Sequence, residues 1–366
     1  MDPNQTCIIN WNARSLISNL SEFKNMLYDR NPHIVGLCET WLTPRVSPVF
    51  QGYTFIRRDK GRGGGVGFFI RKDLKFSILD LGDFPEGSLE VMGVKVGFSF
   101  GWEDILMCYN SFKSGNCFTS QELDYYFDLL ETPALVMGDF NAHHTYWDPH
   151  LTDRLVNRAG RVDFNSLLSH NLTLLLPLGL RTRIDPYRGD ESTLDLCLGS
   201  GWFTSPSVIS TEVSIGSDHL PVMIRFERLP IIQVYHRPRW SFKGGESKWH
   251  NYKQLVIHQD NSLYSIDEES DSITNEILVA GKNCFKLGPG KFGSKPRKPW
   301  WNDECSRAVA IKRRAYNKWK RCPIRQAQLE YRRLEAKAKK IIRKSKRLSF
   351  HSFCSQLNFA SNTAVA

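Results

Sequence analysis

The chain has 366 residues, 41% of them hydrophobic, and a formal net charge of +11, which suits one large globular domain plus a second unit. Its nine cysteines are odd in number and form no CxxC pair, which argues against a secreted disulfide framework and a structural zinc site and favours reduced, intracellular thiols. No charged stretch followed by an apolar one marks a signal peptide, and the longest apolar run, "LTLLLPLGL", is too short to span a bilayer and contains Pro177, so no membrane contact is expected.

From the N-terminus through residue 227, short β-branched apolar runs recur: "CIINW", "HIVGLC", "YTFI", "GVGFFI", "LEVMGVKV", "DILMCY", "ALVMG", "TLDLCL" and "VMIRF". Clusters of Gly, Pro, Asn and Ser separate them, as turns separate strands. Three helical patterns intervene: "NLSEFKNMLYDR", with Asn19 and Glu22 spaced as a capping box, "TSQELDYYFDLL", with Thr119 and Glu122 at the same spacing, and "GRVDFNSLLSHN". Many strands and few helices suggest layered sheets flanked by helices. "GRGGG" at 61–65 lacks the lysine and helix of a phosphate cradle and reads as a tight turn.

Residues 229–297 turn polar and read as a linker, with "GPGKFGSKPRKP" a flexible connector. Residues 298–358 read as a basic helical segment, broken near Cys322-Pro323, and 359–366 as a disordered end. Charge follows the same division. Residues 291–366 hold 21 Lys and Arg against 4 Asp and Glu, whereas 1–228 carry −6. An acidic-leaning globule thus bears a basic tail with the footprint of a polyanion binder. Tyr316, Trp319 and Tyr331 interleave the tail's charges, as stacking or packing residues would. Sequence-independent, salt-sensitive nucleic-acid contact is the expectation, with a linker helix packed on a further domain as the other reading. "KAKKIIRKSKR" also suits nuclear import.

The polar residues at the ends of the strand runs carry the chemistry. Asn12, Glu39, Tyr109 and Asp139 with Asn141 each close one, Asp195 lies inside "TLDLCL", and Asp218 and His219 precede the last. Polar groups ending successive strands gather on one rim of a sheet, where sites form. Glu39 with Asn12 or an aspartate can anchor a hard divalent cation. His219, with Asp195 to hold its tautomer, can move a proton or stabilise charge, and Tyr109 and Asn141 can donate to a phosphate oxygen. This is the inventory of a metal-assisted phosphodiesterase. No GxSxG or GxxxxGK[ST] is present for acyl transfer or NTP hydrolysis.

"NWNARS", "LCETWL", "RGGGVGFFI", "GDFNAHH", "STLDLCL" and "SDHLPV", in that order over residues 5–228, resemble the endonuclease/exonuclease/phosphatase superfamily. More narrowly, they resemble the apurinic-type endonuclease domain of LINE-type (non-LTR) retrotransposon polyproteins. The resemblance implies an α/β four-layer sandwich of two packed mixed β-sheets flanked by helices over residues 1–228, here followed by the basic helical tail. It implies a Mg²⁺-dependent endonuclease (Mn²⁺ as substitute) that nicks target DNA and leaves a 3′-hydroxyl primer. The alternatives are a phosphoesterase of the same fold acting on abasic DNA or another phosphodiester, or an inactive nucleic-acid-binding remnant. Implied catalytic residues are Asn12, Glu39, Tyr109, Asp139, Asn141, Asp195, Asp218 and His219, with Glu39, Asn12 and Asp218 at the metal. Arg14, Arg181, Arg183, Arg188 and His144 are expected at DNA, although His143 and His144 equally suit packing with Trp147. The partners expected are a target duplex, element RNA through the tail, and a reverse transcriptase domain following in a full-length relative. The location expected is intracellular and nuclear. "YNSF" after the tyrosine departs from the proline-rich turn of many relatives, and no Tyr/Phe-Ala-Asp-Asp box occurs, so the chain reads as an N-terminal portion of a polyprotein or a truncated copy.

Overall fold

The computed structural model describes residues 5–85, 87–111, 117–131, 133–232, 239–241, 245–256, 266–288 and 299–356. The first half runs β1 (Thr6–Asn12), α1 (Leu16–Arg30), β2 (Ile34–Cys38), β3 (Tyr53–Arg58), β4 (Val66–Arg71), β5 (Phe76–Ile78), β6 (Leu89–Phe98) and β7 (Gly101–Asn110). It continues with α2 (Ser120–Asp128), β8 (Ala134–Asp139), α3 (Arg158–Ser169), β9 (Thr173–Leu174), β10 (Arg183–Ile184), β11 (Glu191–Ser192), β12 (Asp195–Gly199), β13 (Val208–Thr211) and β14 (Val222–Phe226). All nine apolar runs are strands, because each carries enough β-branched and aromatic bulk to be buried on a sheet.

Two mixed six-stranded sheets form, in the orders β13-β14-β1-β2-β4-β3 and β5-β6-β7-β8-β12-β9. Side-chain alternation decides the layering. From β1, Ile8 points into the core between the sheets with Ile34, Phe68, Met107 and Met137, while Cys7, Ile9 and Trp11 point the other way, against Phe23, Met26 and Leu27 of α1. Leu123 and Phe127 of α2 and Leu167 of α3 cover the outer face of the second sheet. Helix, sheet, sheet, helix is the four-layer α/β sandwich expected. The central strands are buried on both faces, so they read as unbroken apolar runs.

The helix starts carry two surprises. Ser15, not Asn19, caps α1 by accepting from Ser18 N, while Asn19 Nδ2 donates to the carbonyls of Ala13 (2.8 Å) and Ser15 (3.3 Å). The capping box at Asn19 and Glu22 is therefore absent, because the helix begins a turn earlier to seat Leu16 in the core. Thr119 does cap α2. Its Glu122 reaches the Leu89 amide of β6 at 2.7 Å, tying helix to sheet.

After Ile232 come β15 (Arg239–Ser241), α4 (Gly245–Leu255), α5 (Ile266–Cys284) and β16 (Lys286–Gly288), then α6 (Asp303–Arg321) and α7 (Arg325–Gln356). Residues 233–294 cluster as a unit of their own, with β15 antiparallel to β16 and Phe285 against Trp249 and Tyr252. The stretch read as a linker thus holds two helices. The "GPGKFGSKPRKP" connector (mostly 289–298) and the 359–366 end lie outside the described residues. Helices α6 and α7 belong to the same compact unit as the sandwich. Ala315, Tyr316, Trp319, Ala327 and Tyr331 form a small core with Ile184, Val213 and Leu220. The aromatics among the basic residues pack inward.

Candidate active site

Register brings the strand ends into one place. Parallel β7 and β8 pair Tyr109 with Asp139, and antiparallel β8 and β12 pair Asp139 with Asp195, so three polar groups sit side by side on the rim of the second sheet. Asp195 is the first residue of β12, not an interior one. In the first sheet, Asn12 pairs with Cys38, and Glu39 is the next residue. The buried Asn12 amide joins the sheets: its Nδ2 donates to Glu39 Oε1 at 2.9 Å and to Asp139 Oδ2 at 2.7 Å. His219, just ahead of β14, completes the set. Its Nδ1 lies 2.8 Å from Asp195 Oδ2 and its Nε2 3.7 Å from Asp139 Oδ2. Glu39 and His219 therefore end one polar chain across a shared cleft.

Asp139, Asp195 and His219 are almost fully buried, so their charges are felt strongly. Burial alone pulls the His219 imidazolium down, but the Asp195 and Asp139 carboxylates outweigh it and hold the ring up to about 9. Burial pushes the Asp139 carboxyl up to about 7, with Asp195 adding and His219 opposing. Charged His219 between two carboxylates leaves one net negative charge, and the next proton binds near neutrality as a property of the group.

Glu39 is held by more than the sequence suggested. Trp41 Nε1 donates to its Oε2 at 3.0 Å. The "GRGGG" turn braces this segment from below: Thr40 N bonds to Gly65 O and Trp41 N to Gly64 O, while Gly65 N bonds to Glu90 Oε2. At Gly65, φ is +95° and a Cβ would fall 2.4 Å from Thr40 Oγ1, so the turn needs glycine for close approach, as a turn and not a cradle. The buried Tyr109 hydroxyl lies 3.5 Å from Gly63 O, and burial with the nearby Glu39 and Asp139 charges raises it well above the usual phenol range. Arg14, Ser15, Glu39, Trp41 and Asn141 all have positive φ. Non-glycine residues rarely adopt this conformation, and its concentration around one cleft marks a site whose geometry outweighs local strain.

The Asp139–Asn141 turn is built by groups that sequence reasoning missed. Asn141 N donates to Asp139 Oδ1 at 3.0 Å, and Asn141 Nδ2 to Asn110 O at 2.8 Å. Asn110 Nδ2 donates to Phe140 O, so the asparagine of "YNSF" anchors the turn without any proline. Asn157, the cap of α3, donates to Asn141 O and accepts from His143 N and Gly160 N. Thr182 Oγ1 accepts from the amides of Leu194 and Asp195. Each reaches the site through a partner far away in sequence, so no local motif announces that role. Gly138 admits the close strand pairing here, since a Cβ would sit 1.8 Å from Cys108 O.

The remaining expected residues divide. Asp218 Oδ2 accepts from Arg14 Nη1 at 2.7 Å and Arg183 Nε at 3.2 Å. Burial opposes its charge, but His219, Arg14 and Arg183 hold it below the usual carboxylate range. Its charge is thereby committed to two arginines at the cleft edge, not presented to an ion. Arg181 is drawn onto Asp148 at 2.7 Å, whereas the side chain of Arg188 is exposed on the β10–β11 loop. His144 stacks on Phe164 with ring centroids 4.5 Å apart and lies against Trp147. Packing accounts for it, leaving no reason to place it at DNA.

The chemistry of the donors tests a metal ion at this site. Asp139, Asp195 and His219 bring ligand atoms within 4.8 Å of one another. A ligating histidine must be neutral, though, and both nitrogens of this one face carboxylates. Glu39 fits better: each oxygen has one neutral donor and none pairs with a described cation. Carboxylate and amide oxygens at a polar rim suit a hard divalent cation.

Residues 104–223 match the sequence model of the endonuclease-reverse transcriptase family. A Drosophila melanogaster protein, "Probable RNA-directed DNA polymerase from transposon X-element", is 24% identical over 342 residues, covering 86% of this chain and 34% of that protein. The chain thus spans about a third of that relative's length. The AP endonuclease LMAP from Leishmania major has a similar fold, with 15% identity, TM-score 0.50, and coverage of 63% of this chain and 90% of that one. The endonuclease domain of TRAS1, a telomere-specific non-LTR retrotransposon, aligns at 14% identity and TM-score 0.46, over 63% of this chain and 99% of that domain. Among the described residues no helix is long and apolar enough to cross a membrane.

Proposed function

We propose that this chain, similar to the endonuclease-reverse transcriptase family over residues 104–223, is a divalent-metal-dependent DNA endonuclease that hydrolyses one phosphodiester and leaves a 3′-hydroxyl primer. The observation that carries this reading is the Asn12 amide bridging Glu39 and Asp139, with His219 between Asp139 and Asp195 on the same rim. Glu39 would hold Mg²⁺ or Mn²⁺ with Asn12 bracing it. When bound, the ion stabilises charge on the phosphate and makes water a better nucleophile. Asp139, fixed by Asn12 and the Asn141 amide, orients the attacking water, accepts its proton, and returns it to the 3′-oxygen as the P–O3′ bond breaks. His219, kept protonated by Asp195, faces the charge that grows on the phosphate oxygens. Asn141 and Tyr109 donate hydrogen bonds to the same group. Arg14 and Arg183, locked through Asp218, present their remaining N–H groups to the flanking backbone, with Arg188 farther out.

The name of the Drosophila relative supports a reverse transcriptase domain in relatives, and the basic helices would be the part to meet an element RNA. The basic run at 337–347 supports a nuclear location. The test is a supercoiled plasmid incubated with Mg²⁺, with and without chelator, and an abasic duplex beside an intact one. Metal-dependent nicking of intact DNA is expected. Replacing Glu39 by Gln or His219 by Ala should lower the rate by about 10³-fold, since each removes a charge-handling group. A folded chain that nicks with no divalent ion supplied, or a variant cutting at the parental rate, sinks these roles. Cleavage confined to abasic DNA would move the assignment to a repair-type phosphoesterase.

A further inference from the structure

Helices α6 and α7 face two ways. The inner face grips the loops that carry the cleft. Lys312 bonds to Glu22 and to Ser214 O, and the Tyr316 hydroxyl to Thr211. Lys339 donates to Gly216 O, and Arg332 to Pro186 O. Apart from Glu22, these acceptors lie on the two segments whose backbones pair through Arg183 and His219. A cavity of about 180 Å³ is lined by Arg14 and Asp218 on one side and by Arg332 and Lys339 on the other. The helical pair is therefore fixed to the cleft edge.

The outer face is different. Lys337, Lys340, Lys344 and Arg347 are spaced three, four and three residues apart, one side of a helix, and all four are exposed. None has an acceptor among the described residues. The acids of α7, Glu330 and Glu335, are taken by Arg333 and Lys339. Such a ridge, about 15 Å long at 1.5 Å per residue, repels itself unless a polyanion neutralises it.

We propose that this ridge is a second contact for the phosphate backbone of the duplex that is cut, held in fixed register with the cleft by the buried face of the helical pair. A rigid row of cations matches a duplex, which carries a charge every ~1.7 Å of its axis, better than it matches a coiled single strand. The proposal rests on the DNA-cutting reading, but its test reads binding alone, so either can fail without the other.

The full chain is titrated with a duplex and with a single-stranded RNA of equal length, in chelator, over a salt series. Changing all four residues to Gln should flatten the dependence of log K on log salt for the duplex by about 3.6, at ~0.9 for each phosphate no longer neutralised. Lys340→Gln with Lys344→Gln should remove about half of that, and Lys337→Arg, Lys340→Arg and Lys344→Arg together should keep the parental slope. An unchanged duplex slope in a folded variant overturns the proposal, as does a loss confined to RNA, which would make the ridge an RNA site.

Discussion

The cleft rim and the outer face of α7 are both crowded with charge, yet they are solved in opposite ways. At the rim, most charges have partners within the fold: Asp195 and Asp139 hold His219, and Asp218 holds Arg14 and Arg183. On α7 the four ridge cations are left to solvent. A largely partnered cluster is rigid and can be tuned, which chemistry on one bond requires. An unsatisfied row has a strong field and no partner of its own, which suits a polyanion recognised by charge alone. On the proposed reading, the two regions differ because one selects a bond and the other holds a polymer.

The sharpest challenge to this contrast is Trp319→Ala, which empties the small core between the helical pair and the sandwich. Trp319 stacks on Tyr331 at 5.5 Å, and its loss should cost about 3–5 kcal/mol in chemical unfolding. Hydrogen exchange at residues 211–219 should rise with it, since the inner face grips that segment. Normal protection there would show that the helices hold themselves and not the site.

A smaller effect separates tuned from solvated charge. Nicking should follow a bell in pH: rising near 7 as Asp139 loses its proton, and falling near 9 as His219 does. Asp195 is a carboxylate that raises His219, so Asp195→Asn should move the falling limb to lower pH, in single-turnover rates. A limb that stays put would mean the rim is held by packing and not by charge. The smallest effect is at the Asn141 turn. Asn157→Ala removes a helix cap, expected to cost about 1 kcal/mol, and should slow nicking beyond that loss. A stability change without any change in rate would detach Asn157 from the site.

Much of this was legible in the chain itself. Strand runs are visible because both faces of the central strands are buried, and Asn12, Glu39 and Asp139 stand out because a polar group ending an apolar run is conspicuous. Thr182, Asn110, Asn157 and Trp41 were invisible, since each orients a site residue through a bond whose meaning depends on the fold. The helical pair was half legible: its charge and helicity are compositional, but its docking rests on Tyr316, Trp319 and Tyr331 finding Ile184, Val213 and Leu220.

What the sequence by itself determined was the alphabet: which runs become strands, which polar residues close them, and where positive charge accumulates, all properties of near neighbours in the chain. Tertiary structure alone decided that Asp195 falls opposite Asp139, that Asn12 spans two sheets, and that Asp218 is committed to Arg14 and Arg183. Those outcomes depend on strand register and sheet packing, where a shift of one residue turns a side chain to the other face.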